Sequence, residues 1–264
     1  MMRRLLKNFA TLGLTLALLL TCAGAFAAER PPVKAKVWNK VFPYLLPDDH
    51  PIKPNLDLIF SSSRAILNLK TLRAAGFVNP KVRKWTRLIV VKHPQLPGYV
   101  VKTYLDAQRN YKDKPEYHHW LLRIKGARAI QDLIDKNQWN HLFKVPKKWI
   151  YALPNQPAPP KEYSRKNFIL VQDDMDLLSP ADNRAAWGSH MVTEEMLFGL
   201  YTILETLGLT DCIKIDNIPF SKDGRVAFID TQSFDQWPVH YKMFTSFLSE
   251  DLQPYWKRLI RNGL

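Results

Sequence analysis

Cysteine is nearly absent: the 264 residues contain two, at positions 22 and 212. The chain opens with Met-Met-Arg-Arg-Leu-Leu-Lys, continues into an apolar run around Leu12–Leu20, and reaches Ala25-Phe26-Ala27. A basic start, a short apolar stretch and an Ala-x-Ala site form the pattern of a secretory signal peptide cleaved after Ala27. Cleavage would leave Cys212 alone, which excludes an intramolecular disulfide and offers no cysteine-based zinc site. Long apolar runs are also missing. The one at the N-terminus is too short for a comfortable membrane span, so no span is expected after cleavage. Internal repeats and heptads are absent as well. Acidic residues are outnumbered, 24 against 38 Lys and Arg, for a formal net charge of +14. The 237 residues after Ala27 hold 35 basic and 24 acidic residues. That surplus favours acidic partners such as nucleotides, nucleic acid or anionic lipid. The basic residues are spread along the chain, as on a solvated surface, and no stacked aromatic motif points to a specific nucleic acid. The expected location is outside the cytoplasm, periplasmic or secreted, with stability coming from an aromatic-rich core.

Residues 28–57 carry Pro31, Pro32, Pro43, Pro47, Pro51 and Pro54, which predicts an extended arm packed through Trp38, Phe42 and Tyr44. Ser61-Ser62-Ser63, followed by Ile66, Leu67, Leu69, Leu72 and Gly76, predicts a helix with a serine cap and a glycine stop. The runs 87–93 and 99–105 flank a Pro/Gly turn and predict a hairpin, with Lys102 mid-strand among Val100, Val101 and Tyr104. Trp120, Ile124, Ala127, Ile130 and Ile134 have helical spacing. Residues 145–153 and 167–171 read as strands, and Gln172-Asp-Asp-Met-Asp176 as the acidic segment that follows. Thr193 caps a helix whose Leu197, Leu200, Leu204 and Leu207 share a face before the stop at Gly208. A further helix is expected from Tyr241 to Leu252. Sheet and helices in this order argue for α+β.

The most informative stretch is 208–234. Apolar runs at Ile218–Phe220 and Val226–Ile229 flank Ser-Lys-Asp-Gly, a strong hairpin signal. The hairpin brings Asn217 and Asp230 together at one end of a ribbon. Oxygen donors gathered in this way suit Mg²⁺, which takes one or two carboxylates plus substrate phosphates. The same residues would also serve as the polar cap of a hairpin.

This stretch resembles the catalytic loop and metal-binding segment of the protein-kinase-like superfamily, in which a loop Asn and a later Asp hold Mg²⁺. Asn217 and Asp230 stand at the family's usual interval of thirteen residues. The family's catalytic Asp lies five residues before the Asn. Cys212 occupies that position here, with Asp211 one further back. Thr231-Gln232 replaces Phe-Gly after Asp230. Tyr99-Val-Val-Lys102 resembles the third-strand context of the lysine that contacts the α- and β-phosphates. The helix around Trp120–Asn137 would supply an acid to pair with that lysine; the candidates are Glu116, Asp132 and Asp135, with Asp132 preferred for its position midway along the helix. The strand leading into 172–176 resembles the hinge whose backbone binds adenine. Departures from the family are the missing Gly-rich loop, the missing Ala-Pro-Glu motif and the short C-terminal remainder.

The resemblance implies a two-lobed kinase-like fold with a reduced C-lobe. Its parts would be a signal peptide at 1–27, a Pro-rich arm and β-rich N-lobe at 28–172, and a mainly helical C-lobe at 173–264. It implies a phosphotransferase using ATP and Mg²⁺, with catalytic Asp211, cofactor-binding Lys102 and Asp132, and metal ligands Asn217 and Asp230. The partners would be a nucleotide and an acceptor of unknown identity. The alternative is an exported pseudokinase, catalytically inactive and acting through a protein partner. An exported kinase would need a compartment that contains ATP.

Overall fold

The computed structural model describes residues 30–83 and 86–263; the expected signal peptide lies outside them. The Pro-rich segment is helical where an extended arm was expected. It contains helices α1 (Ala35–Val41) and α2 (Lys53–Ser62), and α2 tolerates Pro54 because it sits in the first turn, where a missing N–H is no loss. Trp38 and Tyr44 are partly buried, whereas Phe42 remains 61% exposed. The helix expected to start at Ser61–Ser63 is likewise displaced. Ser61 and Ser62 close α2 by donating to the carbonyls of Leu58 and Ile59. The next helix, α3 (Leu69–Ala74), starts at Asn68. Asn68 Oδ1 accepts from the amides of Lys70 and Thr71, while Thr71 Oγ1 accepts from the Asn68 amide. That reciprocal cap satisfies orphan donors at both ends of the turn and outcompetes a lone serine.

Strands β1 (Val78–Val82), β2 (Ile89–Lys92) and β3 (Tyr99–Thr103) lead to the long helix α4 (Glu116–Lys136). After it come β4 (Phe143–Lys144), β5 (Lys148–Ala152) and β6 (Phe168–Asp173). A five-stranded antiparallel sheet runs in the order β1-β2-β3-β6-β5. Side chains alternate between its faces. Ile89, Val91, Val101, Ile169 and Val171 pack toward the layer of α2 and α3. Ile150, Phe168 and Leu170 pack toward α1 and α4, meeting Trp120 and Ile124. Lys102 pairs with Val90 on one side and Leu170 on the other, so the alternation sends its side chain toward α4, where it is 5% exposed.

The C-terminal half contains α5 (Pro180–Trp187), α6 (Glu194–Leu207), the short β7 (Val226–Ala227) and α7 (Gln253–Asn262). Thr193 Oγ1 caps α6 by accepting from the Met196 amide at 3.1 Å. Gly208 ends it at φ +56°, and a Cβ there would fall 2.6 Å from the Gln236 amide nitrogen. Left-handed backbone and close approach together require glycine. The helix expected over 241–252 is instead a 3-10 segment, Tyr241–Phe247, broken by extended Leu248. Pro254 then opens α7. The second core centres on Trp187, Leu200, Phe220, Phe244 and Trp256, and it also takes in Ile130, Ile134 and Phe143. Helix α4 thus leaves the sheet layer and enters the second core, and β7 pairs in parallel with β4. The 130–145 stretch therefore packs with the C-terminal half. The protein is a mixed α+β structure. Among the described residues no helix is long and apolar enough to cross a membrane.

Candidate active site

The 208–234 stretch forms its ribbon through backbone bonds from Ser221 N to Arg225 O (2.9 Å), Ala227 N to Pro219 O (2.8 Å) and Ile229 N to Asn217 O (3.1 Å). The last bond sets Asn217 beside Asp230. Asn217 Nδ2 donates to Asp211 O at 2.9 Å and ties the ribbon to the 3-10 turn Thr210–Ile213. This turn directs Cys212 and Asp211 in opposite directions. Cys212 is buried, its thiol donates to Asp230 O at 3.2 Å, and burial pushes its pKa well up. The Asp211 carboxylate faces outward and accepts from Ser233 Oγ (2.6 Å) and Lys214 Nζ (2.8 Å). Burial alone would raise its pKa, but these two bonds and the Lys214 charge hold it below the ordinary carboxylate value. Asp211, Asn217, Asp230 and Arg123 line one cleft of about 640 Å³.

Arg123 lines the cleft, and two buried lysines stand behind it. Lys102 Nζ donates to Ile229 O at 2.9 Å. Arg123, from α4, forms an ion pair with Asp230 Oδ1. Lys148, from β5, donates to Thr231 Oγ1 at 2.7 Å, and that hydroxyl in turn donates to the Arg123 carbonyl. Burial lowers the Lys102 pKa to about 7, aided by the charges of Arg123 and Arg83 and opposed by Asp230. Burial also drives Lys148 well below its ordinary value, with Lys102 and Arg123 adding to the shift. Burial would raise Asp230, but Arg123, Lys102 and Lys148 outweigh it and hold the carboxyl at about 2. The close approach of α4 to this segment depends on Gly126, where a Cβ would lie 2.0 Å from Thr231 O.

No family model matches the chain, and no curated protein matches it.

Of the residues expected from the sequence, Asp211, Asn217 and Asp230 line this cleft, and Lys102 lies buried behind it on Ile229 O. Asp132 does neither. It is exposed on α4, nine residues beyond Arg123, which is about two and a half helical turns and hence the opposite face. Glu116 accepts from the amides of Asn167 (2.6 Å) and Phe168 (3.2 Å), and Asp135 is bonded to Gln131 and Asn140 at the surface. The helix presents Arg123 where an acid was sought. Arg123, Lys148 and Thr231 escaped sequence reasoning. A signal existed for the first two. Arg123 lies in phase with Trp120 and Ala127 on the apolar stripe of α4, and Lys148 lies in phase with buried Ile150. A cation in an apolar phase marks a buried charge awaiting a partner.

The donor set suits Mg²⁺ shared with phosphates. Asn217 and Asp230 adjoin, and the Asp230 carboxylate, though bonded by Arg123 and the Gln232 amide, has acceptor sites to spare. No group of three or more His, Cys, Asp and Glu residues that could hold a metal occurs among the described residues, so phosphate oxygens would have to complete the coordination.

Proposed function

We propose that this protein is a phosphotransferase of two-lobed, protein-kinase-like construction that uses ATP and Mg²⁺. The observation that carries the reading is the meeting of Asp211, Asn217 and Asp230 on one cleft above Lys102 of the third strand. Further support comes from the order of elements, with a lysine strand, a long helix, a strand ending at Asp173, and then a mainly helical half. Lys102 orients the α- and β-phosphates. Asn217 and Asp230 would hold Mg²⁺, which would supply charge neutralisation on the phosphates. Asp211, ionised at neutral pH, accepts a hydrogen bond from the acceptor hydroxyl and aims its oxygen at the γ-phosphorus. As that O–P bond forms, the bond to the β,γ-bridging oxygen breaks, ADP leaves, and the hydroxyl proton passes to Asp211. The decisive test is ADP release from ATP by the purified protein, with water standing in for the acceptor hydroxyl. Release that requires Mg²⁺ and is abolished in Asp230→Ala is expected; undiminished release in that variant removes the assignment.

A second reading, a catalytically inactive kinase-like module acting through a protein partner, is favoured by the Arg123–Asp230 ion pair, in which a buried cation competes with a metal for the acid. It predicts that ATP raises the melting temperature while no ADP is released under any condition.

A further inference from the structure

With both lysines protonated the charges at the cleft floor do not balance, and the lowered lysine pKa values show that the fold relieves the surplus by loosening their protons. Among the described residues, Lys102, Lys148 and Arg123 surround one carboxylate, that of Asp230. All three cations are buried, at 5%, 5% and 2% exposure. The acceptors that meet the two lysines, Ile229 O and Thr231 Oγ1, are neutral dipoles. Arg123 uses one terminal nitrogen on Asp230, and its Nε is buried with no hydrogen-bond partner among the described residues. An orphaned donor on a buried guanidinium is costly, and a surplus of buried positive charge costs more. Both deficits are met by one kind of ligand, an oxyanion carrying two or more charges, placed where Arg123 and Asp230 open into the cleft. The guanidinium fork suits phosphate oxygens in paired bonds. A divalent cation entering alone would instead add to the surplus.

We propose that Arg123 is a phosphate ligand, and that with Lys102 and Lys148 behind it the cleft binds a polyphosphate directly, without requiring a divalent metal. In its nucleotide form this rests on the kinase-like reading above, with Mg²⁺ needed for transfer and dispensable for binding. The phosphate chain lies against Arg123 of α4 and the 211–217 segment, with the lysines of β3 and β5 behind it, and Asp230 is the group that weakens the metal-free complex by repulsion.

Calorimetric titration of the full chain tests this with ATP in EDTA, ATP with Mg²⁺, and inorganic tripolyphosphate in EDTA. ATP is expected to bind in EDTA. Arg123→Gln should weaken that binding about tenfold or more, the scale of one charge-assisted bond, and Arg123→Lys should restore part of it. Asp230→Asn should tighten metal-free binding while erasing the gain from Mg²⁺. If Arg123→Gln does not fold, the wild-type EDTA arm and the sign of the Asp230→Asn effect decide. ATP binding only with Mg²⁺, or an unchanged Kd in folded Arg123→Gln, overturns the proposal and leaves the nucleotide reading standing. Tripolyphosphate bound as tightly as ATP upholds the phosphate site and retires the nucleotide. No binding of either ligand overturns both.

Discussion

Two clusters of buried charge lie a few residues apart in this chain and are built on opposite plans. Behind the sheet, Asp106 receives the Arg64 guanidinium through two bonds of 2.8 and 3.0 Å, and also the Lys166 amide at 2.7 Å. Lys166 Nζ donates to Gln108 O, Asn110 Oδ1 and both oxygens of Ser164, and Glu116 accepts two backbone amides. Two cations face two acids, and the acceptors are local. This cluster fastens the segment after β3 to the start of β6 and the head of α4, and it is complete without a ligand. At the cleft floor three cations share one acid, a donor is orphaned, and the Asp230 side chain is 30% exposed. Satisfied buried charge holds a fold together; unsatisfied buried charge beside an opening is a place for something to bind.

The largest effect that would sharpen this contrast is on stability. Asp106→Asn keeps the shape but leaves Arg64 and its neighbours uncompensated in the interior, and should cost about 3–5 kcal/mol. Asp230→Asn, beside solvent, should cost clearly less in the same urea titration. Equal losses would dissolve the distinction between the clusters. Next in size is the fit of α4 against the Asp230 segment. Gly126→Ala drives a methyl into Thr231 O and should cost about 1–3 kcal/mol together with loss of ATP binding. At Gly188 a Cβ would meet nothing closer than Phe247 O at 3.6 Å, so Gly188→Ala should stay within about 0.5 kcal/mol with binding intact. An ATP-binding Gly126→Ala protein would show that the helix need not approach so closely.

The smallest effect is in pH dependence. Lys102 is protonated up to about pH 10 in the unfolded chain but only to about 7 in the fold. Above pH 7 the unfolded state therefore binds more protons, and stability rises with pH. Between pH 7 and about 8.5, below the range in which the Cys212 thiol begins to oppose the trend, Lys102→Met should flatten that rise in denaturant titrations. An identical slope in the variant would mean that burial does not lower the Lys102 pKa in this floor.

Much of the layout was legible in the sequence because it rests on local rules. Thr193 and Gly208 bracket α6 by capping and left-handed backbone, the β2–β3 hairpin follows from two β-rich runs around Pro and Gly, and the Asp-Gly turn forecasts the ribbon that joins Asn217 to Asp230. The misses share one cause. Whether Ser61–Ser63 or Asn68 starts a helix depends on a reciprocal cap with Thr71, and whether prolines extend a chain or open a helix depends on which turn receives them. The search for an acid opposite Lys102 relied on position along α4, whereas the angle around the helix was what mattered, and half a turn separates Asp132 from the face that Arg123 occupies.

The sequence by itself determined the α+β order of elements, the third-strand lysine and the pairing of Asn217 with Asp230, since each depends on residues close along the chain or on a single turn. Only the tertiary structure decided that Asp211 and not Cys212 looks into the cleft, that α4 delivers an arginine to Asp230, and that Lys148 joins from another strand. Those contacts link residues about twenty to more than a hundred positions apart, where packing of α4 through Gly126 sets which charges meet.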